Sequence, residues 1–223
     1  MKTSIVAVTK PTYTDPVTGY KVDINEFVAF VARVSNPSNQ NNHLTANKLL
    51  KYLAKHKHWS PFEMVNVVME IETTRDIARQ ILRHRSFAFQ EFSQRYADPT
   101  KDLGFESREA RLQDMKNRQN SIESDDEMLA GKWQIQQDYV RHSAITAYTW
   151  AIENGIAKEQ ARAVLPEGLT VSRMYMNGTL RSWIHYCQLR MGPETQKEHR
   201  EIAESCWNEI LTIFPALSEI AVD

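Results

Sequence analysis

Seven glycines lie at 19, 104, 131, 155, 168, 178 and 192, and none approaches a GxGxxG or GxxxxGK(S/T) spacing. A backbone cradle for a pyrophosphate is therefore excluded, and any nucleotide phosphate must be held by arginine and histidine side chains. Cysteine is scarcer still. Cys187 and Cys206 are the only two, with no CxxC pair, so neither a disulfide framework nor a cysteine metal or redox pair is available. No run approaches the ~18 apolar residues of a membrane span. The N-terminal MKTSIVAVTK has too short an apolar core for a signal peptide. The expected setting is reducing and cytoplasmic, without a membrane partner. A basic excess is missing too: 27 Lys+Arg stand against 28 Asp+Glu, a net charge of −1. A general polyanion binder is disfavoured, and any basic site is local.

What remains is ordinary in bulk, with 42% hydrophobic and 25% charged residues over 223 positions. That length suits one domain or a tight pair, burying about 70% of the unfolded surface. No internal repeat or linker interrupts it, so a single domain over 1–223 is expected. SIVAV (4–8) reads as a first strand, and Asp23 caps a helix running to about residue 33. NPSNQNNH (36–43) reads as a polar loop, and Thr45 as the cap of a helix carrying Leu49, Leu50 and Leu53. VNVVMEIE (65–72) is the clearest strand. Thr74 opens a helix over RDIARQILRHR. Residues 101–132 form a polar, variable segment, read as a surface helix or excursion. A helix from about 133 to 153 ends at Gly155 as its C′ residue. TVSRMYM (170–176) reads as a strand, Asn177-Gly178 as a turn, and two helices over 180–191 and 194–213 complete the chain. Strands among dominant helices without βαβ alternation predict an α+β fold.

Chemistry concentrates in RHRSFAFQEFSQRY (83–96), with three arginines, a histidine and four aromatics. Cations in a last helical turn stabilise the helix by ~0.3–1 kcal/mol, which explains many such runs. Successive helical residues point ~100° apart, however, so Arg83, His84 and Arg85 fan outward and suit several groups of one large ligand, or different ligands. A single-strand nucleic-acid platform is the rival, weakened by the net charge and the lack of a repeated platform; a helical scaffold with RHR as a cap is another. His56, His58 and Glu63 make an incomplete ligand set, and with HExxH absent no metal is expected. Ser93 lacks a GxSxG elbow and a visible His–Asp partner order, and reads as a hydrogen-bonding residue.

Arg83-His84-Arg85 followed by seven residues and Ser93 resembles the signature of the flavin-dependent thymidylate synthases, the ThyX family. ARVSNP (32–37), HWSPFE (58–63), SQRY (93–96), ARAVLP (161–166) and LRSWIHYCQLR (180–190) resemble that family's blocks, in its order. The resemblance implies a ThyX-like α+β fold, a mostly antiparallel sheet packed with helices. It also implies a homotetramer with shared sites, tightly bound FAD reduced by NADPH, and methylation of dUMP to dTMP with methylenetetrahydrofolate as carbon donor, without nucleic acid. Flavin positions carried over are Ser60, Arg83, His84, Arg85, Glu91, Thr179, Leu180, Arg181 and His185, with His58 near the ring. For dUMP they are Gln80, Arg83, Glu91, Phe92, Ser93, Gln94, Arg95, Arg162 and Arg190. Arg190 matches the position that favours ionised uracil and is the expected catalytic residue. The chain departs from the family pattern at Ala88, Gln90, Thr179 and His185. Cys187, three residues before Arg190, is the rival nucleophile, but its apolar and aromatic neighbours favour a neutral thiol.

Overall fold

Strict alternation runs through residues 66–73. Val67, Met69, Ile71 and Thr73 are inaccessible to solvent, while Val68, Glu70 and Glu72 between them are half-buried. This is the period of a strand with one face on a core. In the computed structural model, which describes residues 1–220, the chain runs β1 (Lys2–Val8), α1 (Ile24–Ala32), α2 (Ala46–Lys55), β2 (Asn66–Thr74), α3 (Arg75–Ile81), β3 (Ala88–Glu91) and α4 (Pro99–Asp102). It continues through β4 (Arg111–Gln113), β5 (Ser121–Glu123), α5 (Glu127–Glu153), α6 (Lys158–Ala161), β6 (Val171–Thr179), α7 (Leu180–Arg190) and α8 (Lys197–Ile213), with short 3-10 turns between. The main sheet has the order β1-β2-β6-β3 and is antiparallel throughout; β4 and β5 form a separate hairpin. The α+β expectation holds.

The buried face of the sheet carries the core. Val67, Met69, Ile71, Met174 and Met176 pack with Trp183, Ile184 and Tyr186 of α7 and Ile202, Ala203, Cys206 and Ile210 of α8. The Trp183 indole donates to the Val67 carbonyl at 3.0 Å, tying α7 to the central strand. A smaller cluster of Tyr148, Ala151, Ala161 and Leu165 lies under α5. Local signals explain several boundaries. Asp23 accepts from the Glu26 amide while Glu26 reaches back to the Asp23 amide, a complete capping box for α1. Gly155 takes φ +78° beyond the end of α5, as a C′ glycine should.

Four expectations need correction. The helix over RDIARQILRHR stops at Ile81, so Arg83-His84-Arg85 lies in a turn leading to β3. Asn177-Gly178 is not a turn but the end of β6, paired with Val68 and Val67. Glycine is needed there because a Cβ at 178 would sit 2.4 Å from the Phe87 ring. Thr45 stands at the start of α2 without capping it, because its hydroxyl accepts from Arg33 instead. The 101–132 segment is α4, a hairpin and the first turn of α5, which begins at Glu127 with Asp126 accepting from the Leu129 amide.

Candidate active site

Ending α3 at Ile81 splits the signature. Arg83 and Arg85 are exposed and carry no side-chain hydrogen bond or ion pair among the described residues. His84, between them, is half-buried, with its ring edge-on to Tyr186 at 4.9 Å and to Phe87 at 6.5 Å. Arg190, at the last position of α7, donates its Nε to His84 Nε2 at 2.9 Å. An imidazole that accepts there keeps its proton on Nδ1 and is neutral. Burial, with the Arg190 and Arg83 cations, pushes its pKa down to about 4. The Arg190 guanidinium is thus oriented without meeting a second positive charge, and its terminal nitrogens have no partner among the described residues.

Behind this pair lies a buried set that the sequence did not announce. His199, fully buried on α8, places Nε2 3.2 Å from the Tyr186 hydroxyl and Nδ1 3.2 Å from Gln80 Oε1. Gln80 donates to Gln196 Oε1 at 2.8 Å, and Gln196 donates to Glu198 at 2.9 Å. Arg111 and Arg108, from the polar segment, close on Glu198. Burial raises the Glu198 pKa, but the Arg111 hydrogen bond and other partners outweigh it and hold it at about 2. One signal was available: the buried stripe of α8 at 202, 203, 206 and 210 extends back at helical spacing to His199.

The other expected residues fall into separate groups. Glu91 lies 3.4 Å from Arg79 and 3.8 Å from Arg75, and accepts from Ser172 at 2.9 Å. Arg181 pairs with Glu63 at 2.6 Å, and Thr179 donates to the same carboxylate at 2.7 Å while capping α7. The Thr179 hydroxyl and then Arg181 lower the Glu63 pKa, against burial. Glu63 is therefore occupied by Arg181 and Thr179 rather than grouped with the histidines. His185 meets Trp59 edge-on at 5.2 Å, and His58 and Ser60 flank Trp59 in the chain, both exposed. The Leu180 side chain is core, and its amide donates to Val65. Arg95 pairs with Glu159 at 3.5 Å, and Arg162 donates to the Glu159 carbonyl at 3.3 Å. No hydrogen bond or ion pair among the described residues joins that pair to Arg190 or Gln80. Phe92 hydrogen-bonds the β6 backbone at Arg173, and Ser93 Oγ accepts from the Arg95 amide at 3.4 Å.

Residues 17–216 match the family described as thymidylate synthase complementing protein. A probable flavin-dependent thymidylate synthase of Paramecium bursaria Chlorella virus 1 is 44% identical over 219 residues, 98% of each chain. A flavin-dependent thymidylate synthase of Synechocystis sp. is 44% identical over 218 residues, again 98% of each. The chain belongs to the flavin-dependent thymidylate synthase family. The fold agrees with the crystal structure of a UMP/dUMP methylase, PolB from Streptomyces cacaoi, bound with 5-Br dUMP. The TM-score is 0.77 at 22% identity, covering 100% of this chain and 96% of that one.

For a flavin-dependent thymidylate synthase, two features suit anionic ligands. Arg83 and Arg85 are exposed guanidiniums without an ion pair among the described residues, the chemistry needed for FAD phosphates when no glycine loop exists. Gln94 is buried with its Nε2 unpartnered among the described residues, an amide donor still lacking an acceptor. The two cysteines do not suit a nucleophile. Both are buried, and burial pushes the thiol pKa up at Cys187 and at Cys206.

Proposed function

We propose that Arg190, held by neutral His84, is the group that favours ionised uracil during methylation of dUMP to dTMP, with FAD as cofactor. Methylenetetrahydrofolate is the carbon donor in this reading, and NADPH the reductant. Bound FAD supplies the reducing equivalents. The protein's part is orientation and charge. A guanidinium about 4 Å from an anion, at an effective dielectric of ~20, is worth about 4 kcal/mol before desolvation is subtracted. Arg190 meets that requirement because its Nε is committed to His84 while its terminal nitrogens have no partner among the described residues. This contact is the observation that carries the reading.

Arg83 and Arg85, with His84, Ser60, Arg181 and His185, hold the flavin. Gln80, Ser93, Gln94, Arg95 and Arg162 hold dUMP together with Arg190. Beside Trp59, a cavity of about 460 Å³ is lined by Lys55, Lys57 and Tyr52, with Lys51 paired to Glu219 at 2.5 Å; the two remaining lysines and the aromatic rings suit a flat, anionic folate. A homotetramer completes the sites in this reading, since Arg95 and Arg162 are engaged with Glu159 and share no bond with Arg190 or Gln80 among the described residues. The exposed Met128, Ile135, Tyr139 and Trp150 fall on one face of α5 and give a second copy an apolar surface to cover. We read residues 1–223 as one domain of a cytoplasmic protein; no helix of the described residues is long and apolar enough to cross a membrane.

The test is an absorbance spectrum of the purified protein followed by product analysis. A bound-flavin spectrum is expected, with dTMP formed only when dUMP, methylenetetrahydrofolate and NADPH are all present. Protein that neither carries nor takes up FAD would refute the reading.

A further inference from the structure

The buried set behind Arg190 has a direction, and that direction is forced at each link. The Glu198 carboxylate can only accept; Arg111 already donates to it and Arg108 pairs with it at 3.3 Å. Gln196 must therefore turn Nε2 toward Glu198, which leaves its Oε1 facing Gln80. Gln80 must then donate Nε2 to Gln196, which turns its Oε1 toward His199. His199 must carry its proton on Nδ1, so its Nε2 accepts from the Tyr186 hydroxyl. Burial and the neighbouring Arg190 and His84 press the His199 pKa to about 3, which keeps a single proton on the ring. Gln80 commits one N–H and one carbonyl lone pair to this chain. Its second N–H and second lone pair are left for a ligand, in an order that cannot be reversed.

We propose that His199 is a positioning residue for nucleotide binding, fixing the orientation of the Gln80 carboxamide through its Nδ1–H, with the polarity dictated by Glu198 in its clamp of Arg108 and Arg111. The proposal rests on the reading of Gln80 as a nucleotide contact. It also explains what the polar segment contributes, since the hairpin region delivers the two arginines that anchor the far end of the chain. Without His199, the Gln80 carboxamide keeps its Nε2 on Gln196 but loses the donor on its carbonyl, and swings about the single hydrogen bond that remains. A carboxamide held at one end meets the ligand in fewer productive orientations, so binding weakens while the chemistry, once the ligand is bound, is little changed.

The experiment uses the FAD-loaded enzyme, with dUMP titrated calorimetrically and KM and kcat measured separately. His199→Leu removes both ring nitrogens while keeping an apolar side chain in the core. It should raise the dUMP Kd and KM roughly tenfold, the scale of one lost and one misdirected hydrogen bond, with FAD content retained and kcat within about threefold. His199→Asn places an amide donor where Nδ1 stood and should recover most of the loss, a rescue that a purely structural role does not predict. In a Gln80→Ala background, His199→Leu should have no further effect on Kd. Equal weakness of the Leu and Asn variants, or wild-type Kd in His199→Leu while Gln80→Ala binds poorly, overturns the positioning role. Wild-type Kd in Gln80→Ala itself would instead remove Gln80 from the nucleotide site. Should His199→Leu fail to fold, Gln196→Leu cuts the next link; it should weaken dUMP about fivefold, and an unchanged Kd there also overturns the proposal.

Discussion

Arg83 and Arg85 are exposed without a counter-charge among the described residues, while His84 between them is half-buried, neutral and locked to Arg190. Three adjacent residues thus divide into a rim that is charged and unpaired and an interior that is polar and nearly fully paired. The difference follows from solvation. Exposed guanidiniums stay hydrated at little cost and keep their charge for an incoming anion. Buried groups must satisfy one another or lose stability. Rim residues are suited to affinity, and interior residues to orientation.

The interior should be the less forgiving side. Arg190→Lys keeps a charge but loses the Nε donor to His84 and the planar fork. Turnover should fall by ~10²–10³, the usual scale for one positioned electrostatic contact, with FAD content near normal. Wild-type dTMP formation would show that orientation at this point is unimportant. The rim should respond differently. Arg83→Ala/Arg85→Ala should weaken FAD binding by roughly 10–100-fold, as two charge-assisted contacts are lost, with the melting temperature within a few degrees of wild type. A large drop in melting temperature would mean that these arginines support the fold, and the division between rim and interior would fail.

The pH dependence of stability adds to the contrast. His84 and His199 have pKa values lowered to about 4 and about 3 in the folded protein, below the ordinary value near 6.5. The unfolded chain binds protons first as pH falls, so the stability these neutral rings contribute is complete above pH ~6.5. It is lost progressively down to about pH 4 and about pH 3 respectively. By pH 5 the loss should be on the order of 2 kcal/mol per histidine. His199→Asn should flatten the decline of melting temperature between pH 7 and 5, whereas Arg83→Ala should leave its shape nearly unchanged. The smallest effect is expected at the thiols. Cys187→Ala/Cys206→Ser should still make dTMP, within roughly threefold per folded, flavin-loaded enzyme, because buried neutral thiols are poor nucleophiles. Abolished turnover, with a nucleotide adduct on Cys187 in the wild type, would reverse that conclusion.

Much was legible in the residues themselves. The capping box at Asp23, the alternation through 66–72 and Gly155 as a C′ residue are local patterns, and local patterns survive folding because the interactions that cause them lie within a few residues. Asn177-Gly178 misled for the same reason in reverse. As a dipeptide it favours a turn, but Phe87 packed against Gly178 and pairing along β2 override that preference. The RHR run misled in part: its composition promised ligand chemistry, while its helical fan depended on a helix that ends two residues earlier.

The family was readable from the residues alone, through ordered blocks spread over most of the chain, and with it the reaction class. So was the absence of a glycine cradle, which leaves phosphate binding to side chains. Which charges are free and which are engaged emerged only in three dimensions. Folding joined Arg190 to His84, 106 positions away, and His199 to Gln80, 119 positions away. The reason is physical: a residue's identity states which hydrogen bonds it can make, but partner, burial and proton position are set by whatever folding brings beside it.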